Sequence, residues 1–298
     1  MFTENNRILQ KKSLKKILLI GGSGFLGKKL AFKLSKSYKV TATTRKVNLK
    51  RINKNLNYLQ LDCTNFTQCK KIIKNYDIVM NAAVILNGKN PNEDFKKNLI
   101  IFLFSYIASI KNNIKNYYFV SSNSVYEKFI YKTKKKDNIY SYNLYKIICE
   151  LIGLKLSLKF KLKFSILRLA NLYGPQMKNG FILDIIRKFK KKDRVIKIYG
   201  NKHTSRNFSY IDDAVNCIYF LIKNNFSGQI NITNGKKINI GHIVKKISTF
   251  YKKKYIFISK NKEPKNIRLF YTKKIDSIGW KDKFSFNKGL IKTLNNIR

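Results

Sequence analysis

The sequence predicts an α/β fold with a doubly wound parallel sheet and a smaller C-terminal α/β lobe. Two observations support this fold class. Short apolar segments alternate with segments of helical periodicity over about the first 170 residues, a pattern typical of parallel strands covered by helices on both faces. The first apolar segment also runs through a glycine-rich turn into a helix, in "LLIGGSGFLGKKL". With only three prolines and 44% hydrophobic residues, the chain should form a compact body with a full core.

The elements follow one another in regular order. We expect the strands at 15–20, 38–44, 56–62, 77–83, 116–122 and within 163–174. The helices between them are expected at 25–35, 66–74, 92–112 and 140–159. The longest apolar run, 99–110, is far shorter than the ~20 residues that cross a bilayer, so it predicts a buried helix and no membrane span.

The rhythm changes after Gly174, where the segments become shorter and mixed in character. We expect a polar tail over 1–13 and a first domain with the doubly wound sheet over 14–170, and the change after Gly174 predicts a second lobe. The second lobe would comprise 171–206 and 236–298, with 207–235 returning to the first domain.

The formal net charge of +48 is the strongest bias in the composition. Such a charge is compatible with nucleic-acid binding, since lysine and arginine neutralise phosphates. However, the triple-lysine runs are scattered over the chain, and lysine accompanies abundant Asn, Ile, Phe and Tyr, which also have A/T-rich codons. We therefore interpret the charge as compositional drift and expect no nucleic-acid partner.

The four cysteines have neither metal-ligand nor redox spacing, which indicates a reduced, cytoplasmic chain without a metal.

Gly21, Gly24 and Gly27 form a G-x-x-G-x-x-G turn between the first strand and the first helix. A helix N-terminus offers unpaired N–H groups and a partial positive charge, and glycine lets a pyrophosphate approach the backbone closely. Because the turn opens an α/β alternation, it predicts a Rossmann-type dinucleotide site rather than an ordinary loop.

The end of the second predicted strand indicates which cofactor binds. Arg45 stands there in "TATTRK", where an acidic residue would favour NAD by binding the ribose hydroxyls. A cation can pair with the 2′-phosphate of NADP, so NADP is favoured over NAD. Asp62, at the end of the third strand, could accept a hydrogen bond from the adenine amino group, although capping the next helix is the alternative.

Tyr142 and Lys146 lie four residues apart and share one face of a predicted helix. A neighbouring ammonium favours the phenolate, lowers the pKa of the tyrosine and suits it to exchange protons with a substrate hydroxyl. Ser122 ends the fifth strand, at the sheet edge where ligands of open α/β sheets bind. The order of glycine turn, serine and Tyr-x-x-x-Lys predicts an enzyme, although each element alone is a weak signal.

Over about residues 15–295 the chain resembles the extended short-chain dehydrogenase/reductases, also called the NAD-dependent epimerase/dehydratase family. The resemblance rests on "GGSGFLG", "LDCTN", "NAA", "SSNSVYE", "YNLYK", "LRLANLYGP", "RNFSYIDDAV" and "IRLFYTKKIDSIGW". It implies hydride transfer at C4 of a nucleotide-linked sugar, with Ser122, Tyr142 and Lys146 as catalytic residues and Lys146 also holding the nicotinamide ribose.

The resemblance also implies the remaining site residues. The implied cofactor-binding set, to which Tyr142 and Lys146 also belong, is Gly21, Ser23, Gly24, Phe25, Leu26, Gly27, Arg45, Asp62, Cys63, Ala82, Ala83 and Asn98. The implied substrate-binding set is Ser122, Asn171, Arg206 and Arg268, the last pairing with the diphosphate. Asp212 and Asp213 would be structural and cap the helix that follows them.

Three reactions remain open within this resemblance. A 4,6-dehydratase of the family carries Asp-Glu where this chain has Asn123 and Ser124, so dehydration is disfavoured. Arg45 favours a 4-keto reductase that uses NADPH slightly over a 4-epimerase that retains NAD. A non-catalytic nucleotide- or nucleic-acid-binding protein on the same fold is the alternative of another class. The family also pairs subunits through the helix-four region and the Tyr-x-x-x-Lys helix, which implies a possible homodimer.

Overall fold

The structure is a computed structural model that describes residues 13–45, 53–86, 90–126, 138–233, 235–258 and 272–297. Within these residues, seven parallel strands form the central sheet. Their spatial order is β10 (Gly228–Ile232), β6 (Lys163–Leu169), β5 (Asn116–Ser122), β4 (Ile78–Asn81), β1 (Lys16–Ile20), β2 (Lys39–Thr44) and β3 (Leu56–Gln60). The order reverses at β1, which lies between β2 and β4, and ligands of open α/β sheets bind at such a switch point. The predicted doubly wound fold is confirmed.

Alternate side chains of β1 enter two separate cores, and for this reason the strand is an unbroken apolar run. Ile17 and Leu19 point to one face, and Leu18 and Ile20 to the other. The first face is covered by α1 (Phe25–Leu34) and α6 (Ile211–Lys223), which pack against each other. The second face is covered by α2 (Phe66–Ile73), α3 (Pro91–Lys111) and α4 (Asn138–Phe160).

The remaining elements form a smaller assembly at the carboxyl end of β6. The predicted sixth strand ends at Leu169, and β7 (Asn171–Tyr173) leaves the central sheet to join β9 (Ser205–Tyr210) and β11 (Lys237–Asn239). A parallel pair, β8 (Val195–Tyr199) and β12 (Lys254–Ile258), lies beside it. The helices of this part are α5 (Phe181–Lys190), α7 (Ile240–Tyr251), α8 (Lys273–Ser277) and α9 (Phe286–Ile297).

The segment 207–235 contributes to both sheets. Within this segment, β10 is a strand of the central sheet and α6 packs on that sheet. The segment also contains most of β9, which pairs with β7 and β11 in the smaller sheet. The division of the chain into two lobes stays a prediction.

The prediction that Asp212 and Asp213 cap a helix is wrong. Tyr210 is the N-cap residue of α6, and both aspartates lie in the first turn of that helix. The buried Asp213 carboxylate accepts the backbone N–H groups of Lys283 and Phe284, each at 3.0 Å. It therefore fastens the segment before α9 to α6, a contact between residues about seventy positions apart that no local motif encodes.

Among the residues that the structure describes, no helix has the length and hydropathy needed to cross a bilayer. The helix that contains the apolar run 99–110 instead packs one face against α2, α4 and the sheet.

Candidate active site

The glycine turn lies where the backbones of β1, α1 and the loop after β4 meet. Gly21 has φ +84°, a left-handed conformation that favours glycine, and a Cβ there would lie 2.7 Å from the Cα and N of Ala83. A Cβ on Gly27 would lie 2.1 Å from the carbonyl oxygen of Gly21. The two glycines therefore let the strand, the helix and the neighbouring loop pack closely.

The N-terminus of α1 suits a phosphate group. Gly24 is the N-cap residue, so no side chain caps the helix, and its first turn contains no acidic residue. Ser23 and Gly24 are exposed at this end, whereas Leu26 and Gly27 are buried and Phe25 is half-buried. By contrast, the Asn65 side chain caps α2 by accepting the N–H of Gln68 at 3.0 Å. The first N–H groups of α1 thus lack the side-chain partner that α2 has, and the turn fits the pyrophosphate of a dinucleotide.

Arg45 and Asp62 lie at the adjacent ends of β2 and β3. Both are exposed, and the guanidinium is close enough to contribute to lowering the pKa of the Asp62 carboxyl. The larger causes are the hydroxyl and backbone N–H of Thr64, which donate to Oδ1 at 2.7 and 2.9 Å. Asn65, and not Asp62, is the N-cap residue of α2, so the alternative role considered for Asp62 is wrong. Cys63 beside it is buried and accepts, through its carbonyl oxygen, a weak hydrogen bond from the Cys69 thiol.

Two asparagines shape the loop after β4, which contains the half-buried Ala82 and Ala83. Asn98, buried on α3, accepts the N–H of Ile85 and donates to its carbonyl oxygen, both at 2.8 Å. Asn81 accepts the N–H of Ala83 at 3.1 Å. Asn98 thus holds the loop with both ends of its amide. Asn81 begins the "NAA" segment of the family resemblance, but no role was predicted for its side chain.

Ser122, Tyr142 and Lys146 meet at the carboxyl end of β5. Ser122 ends the strand, and its hydroxyl lies close enough to the Tyr142 phenol to lower the pKa of that phenol. Lys146 is buried one helical turn further along α4, with Nζ 5.9 Å from the centre of the Tyr142 ring. Its ammonium donates to the carbonyl oxygen of Val120 at 2.5 Å and lies over the ring of Phe119. Segments distant in the chain thus bring an alcohol, a phenol and an amine together.

Burial dominates the titration of this cluster. Desolvation raises the pKa of Tyr142, and the nearby Ser122 hydroxyl offsets only part of that shift. The expected lowering of this pKa by Lys146 is therefore not found in the protein alone. Desolvation lowers the pKa of Lys146 to about 8, although Cys149 and Glu150 raise it.

The predicted substrate residues have different positions. Asn171 is exposed at the start of β7 and donates to the carbonyl oxygen of Asn207 at 2.9 Å. Arg206 is half-buried on β9, with its guanidinium 5.1 Å from the centre of the Phe181 ring and its Nε buried without a hydrogen bond. Arg268 lies outside the described residues.

Three buried polar groups of the described chain border the cluster and have no hydrogen-bond partner: both amide atoms of Asn123, Oδ1 of Asn143 and the hydroxyl of Tyr145. They immediately adjoin Ser122, Tyr142 and Lys146 in the chain. Buried polar groups are normally satisfied, so a bound molecule or water is the expected partner of at least some of them. Sequence reasoning examined only Asn123, as a departure from the dehydratase pattern.

Comparison with known proteins identifies the family. The model of the NAD dependent epimerase/dehydratase family matches residues 17–241, which include the glycine turn and the Ser122, Tyr142 and Lys146 cluster. The chain belongs to this family. It is accordingly an enzyme of a family that depends on NAD.

One relative, Protein CapI of Staphylococcus aureus, is 29% identical over 231 residues, which cover 70% of this chain and 69% of CapI. The UDP-glucuronate 4-epimerase of Thermodesulfobacterium geofontis is 24% identical over 88% of this chain and 85% of its own length.

Solved structures of UDP-sugar 4-epimerases share the fold over nearly the whole chain. The UDP-N-acetylglucosamine 4-epimerase of Methanobrevibacter ruminantium, in complex with UDP-N-acetylmuramic acid, has a TM-score of 0.80 at 25% identity and covers 96% of this chain and 98% of its own. The UDP-glucose 4-epimerase of Thermus thermophilus, in complex with NAD, has a TM-score of 0.77 at 17% identity, covering 95% and 99%.

Proposed function

We propose that this family member transfers hydride at C4 of a nucleotide-linked sugar, with 4-epimerisation of a UDP-sugar as its reaction. The observation that supports the chemistry is the cluster of Ser122, Tyr142 and Lys146. It lies at the carboxyl ends of the central strands, the same end of the sheet as the glycine turn. The relatives that act on UDP-sugars support the substrate class.

In this proposal each residue of the cluster has one task. Tyr142 takes the proton of the C4 hydroxyl and later returns it, while Ser122 hydrogen-bonds the same oxygen. Lys146, whose Nζ lies 5.9 Å from the centre of the Tyr142 ring, is proposed to favour the phenolate by its positive charge, although in the protein alone desolvation keeps the tyrosine pKa raised. When bound at the glycine turn, the nicotinamide cofactor supplies the site that accepts hydride from C4 and gives it back. Asn171 and Arg206 are proposed to contact the substrate.

Net reduction of a 4-keto sugar is the second candidate, and Arg45 is the observation that favours it. Its exposed guanidinium at the end of β2 provides a partner for the 2′-phosphate of NADP, the cofactor of a reductase. Dehydration is not proposed, because Asn123 supplies an amide where elimination needs a carboxyl proton donor.

Incubation of the purified protein with UDP-hexoses, UDP-uronic acids and UDP-N-acetylhexosamines tests the proposal. An epimerase converts one of them to its C4 epimer without consuming added cofactor. A reductase leaves them unchanged and instead oxidises NADPH in proportion to the alcohol formed from a UDP-4-keto sugar supplied separately. Running the reaction in deuterated water distinguishes hydride transfer from removal and return of a proton at C4. Hydride that is returned within the site leaves C4 without deuterium, whereas a proton taken from the solvent would label it. Failure to convert any nucleotide sugar, with or without NAD and NADPH, would contradict the proposal.

We expect Arg45→Glu to change cofactor preference in favour of NAD. The substitution removes the cation proposed to meet the 2′-phosphate and places a carboxylate there, so NADP affinity should fall about 10-fold more than NAD affinity. Titration of both cofactors by fluorescence measures the ratio. Arg194→Glu is the matched control, because it makes the same charge change at another exposed arginine. If the ratio of NADP affinity to NAD affinity is the same in the Arg45 and Arg194 variants, the assignment of Arg45 to the 2′-phosphate is wrong.

We also propose that the protein is a homodimer paired through α3 and α4. Leu151 and Leu158 lie seven residues apart on one face of α4 and are 62% and 85% exposed. The double variant Leu151→Glu/Leu158→Glu should be monomeric in light scattering coupled to gel filtration. The control Phe32→Glu/Ile291→Glu, which alters exposed apolar residues on α1 and α9, should stay dimeric. A monomeric wild-type protein would show the proposal to be wrong.

A further inference from the structure

We infer that Glu150 and Arg168 form a buried positioning pair that locks α4 against the sheet and thereby sets the Ser122, Tyr142 and Lys146 geometry. The inference rests on the proposed function of those three residues. Glu150 lies one helical turn after Lys146 on α4, and Arg168 lies on β6.

The pair is joined by several hydrogen bonds within a buried environment. Arg168 Nε lies 3.0 and 3.1 Å from the two Glu150 carboxylate oxygens, and its Nη2 lies 2.5 Å from Oε2. The two side chains are only 13% and 6% exposed. A guanidinium fork engaged in this way restrains both the distance and the orientation of the helix relative to the strand.

The pair also connects three neighbouring strands to the helix. Ser121, Arg168 and Asn231 stand side by side in the register of β5, β6 and β10. The Ser121 hydroxyl donates to Glu150 Oε1 at 2.5 Å, so the residue immediately before Ser122 is tied to the helix that carries Tyr142.

The other side of the guanidinium faces the end of β5 and the edge of the sheet. Arg168 Nη2 donates to Gln229 at 2.9 Å, and Nη1 donates to the Tyr126 hydroxyl, with the guanidinium over the Tyr126 ring. Tyr126 ends the short 3₁₀ turn, Asn123–Tyr126, that directly follows Ser122. The pair thus restrains Ser122 from the residues on both of its sides.

The carboxylate of Glu150 has a second effect on the cluster. The groups that face Lys146 on its own helix are Tyr142, Tyr145, Cys149 and Glu150. From β5 the Phe119 ring and the Val120 carbonyl oxygen face it, and neither carries a charge. Glu150 therefore favours the ammonium form of Lys146 against the desolvation that lowers its pKa to about 8.

Glu150→Gln tests the inference by removing the charge while keeping the size of the side chain. We expect kcat/KM at neutral pH to fall about 10- to 100-fold through misplaced catalytic groups, with little change in cofactor affinity. The alkaline decline of activity, expected near the Lys146 pKa of about 8, should begin at lower pH because the ammonium loses its favourable neighbour.

A direct titration separates this inference from the proposed function. In protein labelled with ¹³C at the lysine ε-carbons, the signal lost in Lys146→Met identifies Lys146, and its midpoint needs no substrate. The midpoint should be near pH 8 in the wild type and lower in Glu150→Gln. If the wild type converts no nucleotide sugar, the proposed function fails, but this titration still decides the inference.

Two further variants guard against loss of folding as the explanation. Removing one member of a buried pair leaves an unpaired charge, whereas replacing both members by apolar residues is often neutral for stability. Glu150→Met/Arg168→Met should therefore fold and still show the loss of kcat/KM. Glu93→Gln, in the exposed Glu93–Lys97 pair of α3, is the control and should match the wild type. Wild-type kcat/KM in the folded double variant, or an unchanged Lys146 midpoint in Glu150→Gln, would overturn the inference.

Discussion

Tyr142→Phe is expected to lower kcat at least about 100-fold, because it removes the hydroxyl that exchanges a proton with the C4 oxygen. The ring stays in place, so its packing against Tyr145 and the fold of α4 should be retained. Turnover of the best nucleotide sugar, measured by chromatography of the epimers, gives the result, and cofactor titration checks that the NAD site is intact.

Tyr199→Phe is the matched control for this prediction. Tyr199 lies on β8, where its side chain is largely exposed, and the same hydroxyl is removed without touching the cluster. It should retain wild-type kcat and the same thermal unfolding midpoint. Undiminished turnover in Tyr142→Phe would refute the proposed mechanism.

Gly21→Ala is expected to have the second large effect, on cofactor binding. Its Cβ would meet the backbone of Ala83 at 2.7 Å, and φ +84° is unfavourable for alanine. The turn can accommodate the methyl group only by moving away from the loop after β4. We expect cofactor affinity to fall at least about 10-fold, equivalent to ~1.4 kcal/mol, and the protein to be less stable.

Gly279→Ala separates backbone strain from displacement of the turn. Gly279 has a similar φ of +79°, but a Cβ there would meet nothing within 4 Å. The substitution should lower the free energy of unfolding by about 1 kcal/mol and leave cofactor affinity unchanged. If both alanine variants bind the cofactor as the wild type does, the glycine turn is not the cofactor site.

The elements that sequence patterns predicted well are those that local physics specifies. The apolar run of β1 must face two cores, and the left-handed conformation at Gly21 needs glycine, so both features are visible in a few adjacent residues. The spacing of Tyr142 and Lys146 likewise places them on one helix face. Their roles and those of the other site residues remain predictions.

The sequence was less informative wherever a side chain acts on a distant segment. Asp213 was assigned to a helix cap, yet it binds the backbone N–H groups of residues 283 and 284. The pairing of Glu150 with Arg168 joins a helix to a strand, and no spacing rule links their positions. The phenol pKa was predicted from the lysine neighbour, but burial, which is a property of the folded protein, raises it.

The sequence by itself determined the order of strands and helices over about the first 170 residues, the glycine turn and the family to which this enzyme belongs, because these follow from patterns within short segments. The tertiary structure alone decided how strongly the site is desolvated and which buried residues hold it in place. Burial and long-range hydrogen bonds arise only when distant segments meet, so they leave no periodic signal along the chain.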